Sequence, residues 1–214
     1  MQLHRPDPDF LTSGRAKDNF ALALKLTLAA LALLWAVHIV NFLLGYPLNR
    51  FGIVPRSADG FAGVFLAPLL HGSFGHLLHN TVPLFVLGTG MLYVYPNASV
   101  RVLPMVYIGG GLLVWLVARS SIHIGASGVL YGMLAYVLLS GLLKRDTRAI
   151  ALSMLVFFLY GGLGSGLLPG VPGISFESHL AGAALGVVGA WRYRQLDIPP
   201  RKVYDWENED EDED

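Results

Sequence analysis

The side chains best suited to chemistry fall in three short segments set in apolar sequence. The first is His71-Gly-Ser-Phe-Gly-His76-Leu-Leu-His79-Asn80, the second Gly125-Ala-Ser127-Gly128-Val-Leu-Tyr131-Gly132, and the third Ser178-His179-Leu-Ala-Gly182-Ala-Ala-Leu-Gly186. A serine hydroxyl is a weak nucleophile until a base takes its proton, so Ser127 needs a partner of the type His179 supplies. Four-residue spacing puts Ser127 and Tyr131 on one helical face and Gly128 and Gly132 on the next. Gly182 and Gly186 repeat the small-xxx-small device one turn below His179, so two helices touching through glycine would bring Ser127 and His179 together. His76 and Asn80 also share a face, and both donate hydrogen bonds of the kind an oxyanion hole uses. Ser127, in the first turn of its helix, adds free backbone N–H groups and the favourable end of the helix dipole. Each segment alone reads equally well as ordinary close helix packing with a stray polar residue.

Elements able to position these residues follow from hydropathy. The chain has 214 residues, of which 54% are hydrophobic and only 14% charged, whereas a soluble domain carries about 25% charged residues. Apolar stretches at Phe20–Leu44, Ser73–Tyr95, Val100–Ala118, Ala126–Leu143, Ala149–Leu168 and Ser178–Trp191 are read as spans, the last being short against the ~20 residues a bilayer needs. The first run is too long for a signal-peptide core and lacks a clear cleavage site, so it reads as a retained span. The expected fold is an all-α integral membrane protein, a compact bundle of six transmembrane helices. Residues 1–19 form an N-terminal segment, 20–194 the core, and 195–214 an acidic tail too polar to fold alone. The connection Gly45–Gly72, with three prolines, is expected to hold an interfacial helix or a partly inserted hairpin.

With six spans, Lys and Arg divide unevenly. One side collects eleven, including Arg15, Lys144, Arg148 and Arg192, and the other only Arg50, Arg56 and Arg119. The richer side is expected to be cytoplasmic, with both termini. All three polar segments then lie at the outer ends of their helices and share one depth. His38 and His79 are expected to be packed or interfacial histidines, and His123, in an outer loop, to be solvated. An outward-open polar cavity is expected around Ser127, lined by His71, His76, Asn80, His179 and the Arg119–Gly125 loop, since irregular backbone at membrane depth must line a cavity or be buried.

Together, the three segments resemble the rhomboid family of intramembrane serine proteases over about Leu66–Gly189. The resemblance rests on His71, His76 and Asn80, on Gly125, Ser127, Gly128 and Tyr131, and on His179, Gly182 and Gly186, in order and on alternate spans. It implies that Ser127 is the nucleophile and His179 its base, with no carboxylate third member. It further implies an oxyanion hole from His76, Asn80 and the Ser127 backbone, Tyr131 packed beneath the His179 ring, and a structural or hydrogen-bonding role for His71 near the mouth of the site. Implied substrates are single membrane-spanning segments of other proteins. Where many rhomboids carry a Trp-Arg pair in the first outer loop, this chain has Ala62 and Gly63, which bears on loop shape and substrate entry.

Other classes fit less well. A zinc site built on His76, His79, His71 and His179 would lack cysteine and any H-E-x-x-H pattern, so no metal or cofactor is expected. A transporter would show inverted repeats or an intramembrane acid. A catalytically silent rhomboid-like protein that binds membrane segments is the main alternative. Net charge is zero, which gives no basic surface for nucleic acid. A bacterial inner membrane is the simplest location; substrate and oligomeric state are not legible.

Overall fold

Residues 15–44 contain neither proline nor glycine, and the first helix runs through them without a break. A computed structural model of the protein describes residues 14–159, 164–171 and 173–198. Helix α1 spans Gly14–Leu43 over 30 residues, a length of about 45 Å against the ~30 Å hydrocarbon core of a bilayer. It ends in a left-handed turn at Gly45 and Tyr46, which the Asn41 carboxamide clamps. Asn41 Oδ1 accepts from the Leu48 backbone N–H at 2.9 Å, and its Nδ2 donates to Asn49 Oδ1 at 2.9 Å.

The connection to the next span is a compact run of turns with a 3-10 segment at Pro47–Phe51 and a short helix α2 at Gly63–Leu66. Arg56 fastens it to the bundle. Its guanidinium donates to the carbonyls of Leu116 and Ala118 at 3.3 and 2.8 Å, and Trp115 Nε1 donates back to the Ser57 carbonyl at 2.9 Å. These contacts serve carbonyls left open at the end of a helix. A Cβ at Gly63 would strike the backbone of Gly52 and Ile53. The loop thus crosses itself backbone on backbone where the family's Trp-Arg pair would put a side chain.

Helix α3 (Phe74–Val94) is N-capped by Ser73, whose Oγ accepts from the His76 N–H at 3.1 Å. Helix α4 (Pro96–Pro104), a π-turn at Met105–Gly109 and α5 (Gly110–Val117) form one continuous span. Helices α6 (Ser127–Lys144), α7 (Thr147–Leu159) and α8 (Phe176–Arg192) complete the bundle. Among the described residues four helices are long and apolar enough to cross a membrane, with α7 a shorter apolar one. Of the fifth span, expected to reach Leu168, the described residues Thr147–Leu159 are α-helical and Ser165–Leu167 form a 3-10 turn; glycine at 164 and 166 disfavours α-helix there. Most of the expected acidic tail, from 199 on, lies outside the described residues.

Helix α6 is the axis of the bundle, half-buried along its length where α1 is mostly exposed. Leu130, Met133, Tyr136 and Val137 on α6 pack with Leu87 and Met91 of α3, with Val102 and Val106, and with Ala190 of α8. Leu28, Leu33, Val40, Val117 and Trp191 project outward, as an apolar solvent allows. The α6–α8 contact is backbone on backbone: a Cβ at Gly182 would collide with the Gly128 carbonyl, and one at Gly186 with that of Gly132. At the end remote from the three polar segments, the Asp197 carboxylate accepts from the N–H groups of Asn97 and Ala98 at 3.2 and 2.8 Å. It sits on the first turn of α4, where the helix dipole favours an anion. Lys144 Nζ donates to the Leu196 carbonyl at 2.7 Å and lies 4.3 Å from the centre of the Tyr95 ring.

The glycine contact predicts a sharp contrast in stability. Gly182→Ala is expected to lose about 2 kcal/mol or more by forcing α6 and α8 apart, whereas Gly164→Ala, with nothing within 4 Å of the new methyl, changes little. Thermal unfolding in detergent checks this, and equal melting temperatures for the two variants would refute the packing argument.

Candidate active site

The glycine contact brings the starts of α6 and α8 together. Ser127 opens α6, and His179 lies in the first turn of α8. The Ser127 Oγ is 2.8 Å from His179 Nε2, and His179 Nδ1 is 2.7 Å from the Gly166 carbonyl. A carbonyl only accepts, so Nδ1 carries the ring proton and donates it to Gly166. Nε2 is then the lone-pair nitrogen, aimed at the Ser127 hydroxyl. The Tyr131 ring stacks under the imidazole at 4.1 Å between centroids and 9° between planes. His179 is buried and Ser127 half-exposed. The pair therefore has the geometry of an activated serine, with a backbone carbonyl orienting the base where a carboxylate often does.

The second polar segment stands opposite. Gly125 has φ +115°, and a Cβ there would fall 2.8 Å from the His76 ring and 3.9 Å from Asn80 Nδ2, so both donors abut the backbone leading into Ser127. Asn80 is buried, and its Nδ2 donates to His71 Nε2 at 3.1 Å, leaving the second amide hydrogen for another acceptor. Burial, then the neighbouring His76, hold His71 down to about 4. The ring is neutral across the physiological range and free to accept from Asn80. His71 is fully buried, and its Nε2 holds one of the two Asn80 amide hydrogens.

His123, expected to be solvated, is buried instead. Its backbone exchanges hydrogen bonds with Ile53 at 2.9 and 3.0 Å. Its ring donates from Nε2 to the Arg119 carbonyl at 3.1 Å and accepts at Nδ1 from Ser175 Oγ at 2.6 Å. Ser175 Oγ in turn lies 2.7 Å from Ser178 Oγ and accepts from the Ser178 N–H at the start of α8. His123 thus ties the first loop, the loop before Ser127 and the cap of the His179 helix into one piece. His79 is exposed and His38 is buried in α1. Glu177, an acid close to the site in sequence, pairs with Arg119 at 3.5 Å. No three His, Asp or Glu side chains converge as a metal-ligating group among the described residues.

A family model, the rhomboid domain, matches residues 59–196, which include all of these side chains. This chain belongs to the rhomboid family. An uncharacterised protein of Mycobacterium tuberculosis is 39% identical over 185 residues, covering 82% of this rhomboid and 76% of that protein. A counterpart in Mycobacterium leprae is 37% identical over the same length. RHOMBOID-like protein 4 of Arabidopsis thaliana is 31% identical over 121 residues, 55% of this chain and 30% of the plant protein. Family membership and the apolar helices together make this a multi-pass integral membrane protein in contact with bilayer lipid.

Two partners in this rhomboid site carry no motif of their own in the sequence. Gly166 acts through its carbonyl, and a Cβ there would run into Tyr131 and His179; the glycine-rich stretch 161–166 was the available signal. Ser175, three residues before Ser178, could have been read as a helix cap. Gly125→Ala is expected to slow fluorophosphonate labelling of Ser127 about a hundredfold, by straining the left-handed backbone and displacing the His76 ring that abuts it. Labelling at the wild-type rate would show that this backbone tolerates a side chain and that the His76 position is unimportant.

Proposed function

We propose that this rhomboid is an intramembrane serine endopeptidase that cuts single membrane-spanning segments of other proteins. The observation carrying this reading is the 2.8 Å contact between Ser127 Oγ and an imidazole nitrogen whose lone pair is exposed by the Nδ1–Gly166 hydrogen bond. In the proposed sequence, Ser127 Oγ attacks the scissile carbonyl as its proton passes to His179 Nε2. The oxygen of the tetrahedral intermediate takes hydrogen bonds from His76, Asn80 and the Ser127 N–H. His179 then protonates the leaving amine, the C–N bond breaks, and an acyl-serine remains. Water, deprotonated by His179, releases the acid product and restores the serine. The Tyr131 stack keeps the imidazole plane fixed while its charge alternates. The uneven division of Lys and Arg supports cytoplasmic termini; cleavage near the outer ends of the substrate segments follows from the resemblance to the family, and a bacterial inner membrane is the simplest location.

The alternative is a silent membrane-segment binder, and one experiment separates the two. Purified protein in liposomes is expected to cleave a model single-span substrate, with Ser127→Ala and His179→Ala folded but at least about a thousandfold slower. Wild-type protein inert toward several substrates, and unlabelled at Ser127 by a serine-directed probe, would favour the binder. Because the base must be neutral to accept the serine proton, cleavage is expected to rise with pH through the imidazole range and level off. A rate flat across that range, measured as kcat/KM in liposomes, would argue against His179 as the base.

A further inference from the structure

His38 lies outside the proposed reaction, yet it is buried against the residues that support it. Its imidazole is fully inaccessible in α1, and neither ring nitrogen has a hydrogen-bond partner within the protein. The ring stands edge-on to Phe74 at 4.6 Å and to His71 at 6.3 Å between centroids. His71 has a matching unpartnered atom. Since Nε2 accepts from Asn80, the proton is on Nδ1, which is buried near the Leu69 carbonyl but makes no hydrogen bond of good geometry within the protein. A separation of 6.3 Å between ring centres is too long for a direct N–H···N bond and suits one bridging water. His71 Nδ1 and the His38 nitrogen that faces it give such a water two buried polar partners, the lower end of what an internal water needs. Tyr46, His71 and Phe74 surround the His38 ring, and no charged side chain is among them.

We propose that His38 is a positioning residue for the oxyanion hole, accepting the His71 Nδ1–H through one buried water and so fixing the ring that orients Asn80. The inference rests on the proposed role of Asn80 as an oxyanion donor. The relay runs from α1 to His71 and from there to the amide of α3 that faces Ser127. Without it, the His71 ring can turn about its side-chain bonds, and Asn80 loses the acceptor that holds one of its two amide hydrogens. A residue acting in this way should change kcat and leave substrate affinity alone.

The test compares full-length wild type, His38→Phe, which keeps the ring and its packing, and His38→Gln, which keeps a donor and an acceptor. In liposome cleavage assays His38→Phe is expected to lower kcat about tenfold, less than loss of a direct oxyanion donor, with KM within about twofold. His38→Gln should recover most of that loss. Should the phenylalanine variant not fold, His38→Leu takes its place. The inference is overturned if the apolar variant keeps wild-type kcat, or if Gln is as impaired as Phe at equal thermal stability. Nitrogen-15 spectra of histidine-labelled protein give a readout independent of cleavage: the His71 Nδ1 resonance is expected to shift in His38→Phe. An unchanged resonance overturns the relay even if the protease reading stands. A shifted resonance in a protein that cleaves nothing would support the relay while the protease reading failed.

Discussion

Everything at the site depends on two helices meeting without side chains between them. Gly128 and Gly132 on α6 face Gly182 and Gly186 on α8, and a methyl group at either α8 position would overlap a carbonyl oxygen of α6. In lipid there is no hydrophobic force to press helices together, so van der Waals contact between backbones must do it. The same approach decides the chemistry. Ser127 sits one residue before Gly128 and His179 three residues before Gly182, so the helix separation sets the distance between hydroxyl and imidazole. Packing and reactivity are here one constraint.

A second constraint is that polar groups at membrane depth must find partners inside the protein. Arg56 serves the carbonyls at the end of α5, Asn41 closes the turn after α1, and His123 joins three loops. His179 follows the same rule. Its ring proton is held by the carbonyl of Gly166, a neutral dipole that orients the base without burying an anion. A carboxylate in that place would incur a large desolvation cost before any reaction began. In the proposed reaction, electrostatic stabilisation would fall to the donors facing Ser127, which is why the support behind Asn80 matters.

Much of this was legible in the sequence, for identifiable reasons. Apolar runs marked the helices because lipid-facing helices carry apolar side chains along most of their length, although α1 and α8 differ as 30 to 17 residues. The spacings of Gly128 and Gly132, of Gly182 and Gly186, and of His76 and Asn80 revealed which residues share a helical face. What escaped was carried by backbone atoms and by loops. Nothing in the type of Gly166 announces that its carbonyl will meet His179. His123 looked solvated because loops usually are, and its burial follows from pairing with Ile53, seventy residues away in sequence. The small size of Gly63 is explained by the close passage of the loop over Gly52 and Ile53, which nothing in the local sequence announces. Apolar content at Leu167 and Leu168 does not announce that Ser165–Leu167 forms a 3-10 turn, which the neighbouring glycines favour over α-helix.

The anchor at the far end of the bundle bears on the dyad by another route. Where α8 meets α6 through Gly182 and Gly186, few side chains interlock to fix its axial register. A shift of a single residue is about 1.5 Å, enough to break the 2.8 Å contact between His179 and Ser127. Asp197, seated on the first turn of α4, and the Leu196 carbonyl, held by Lys144, stop that slide. They work as a depth gauge, setting the axial register of a histidine that lies a full helix length away.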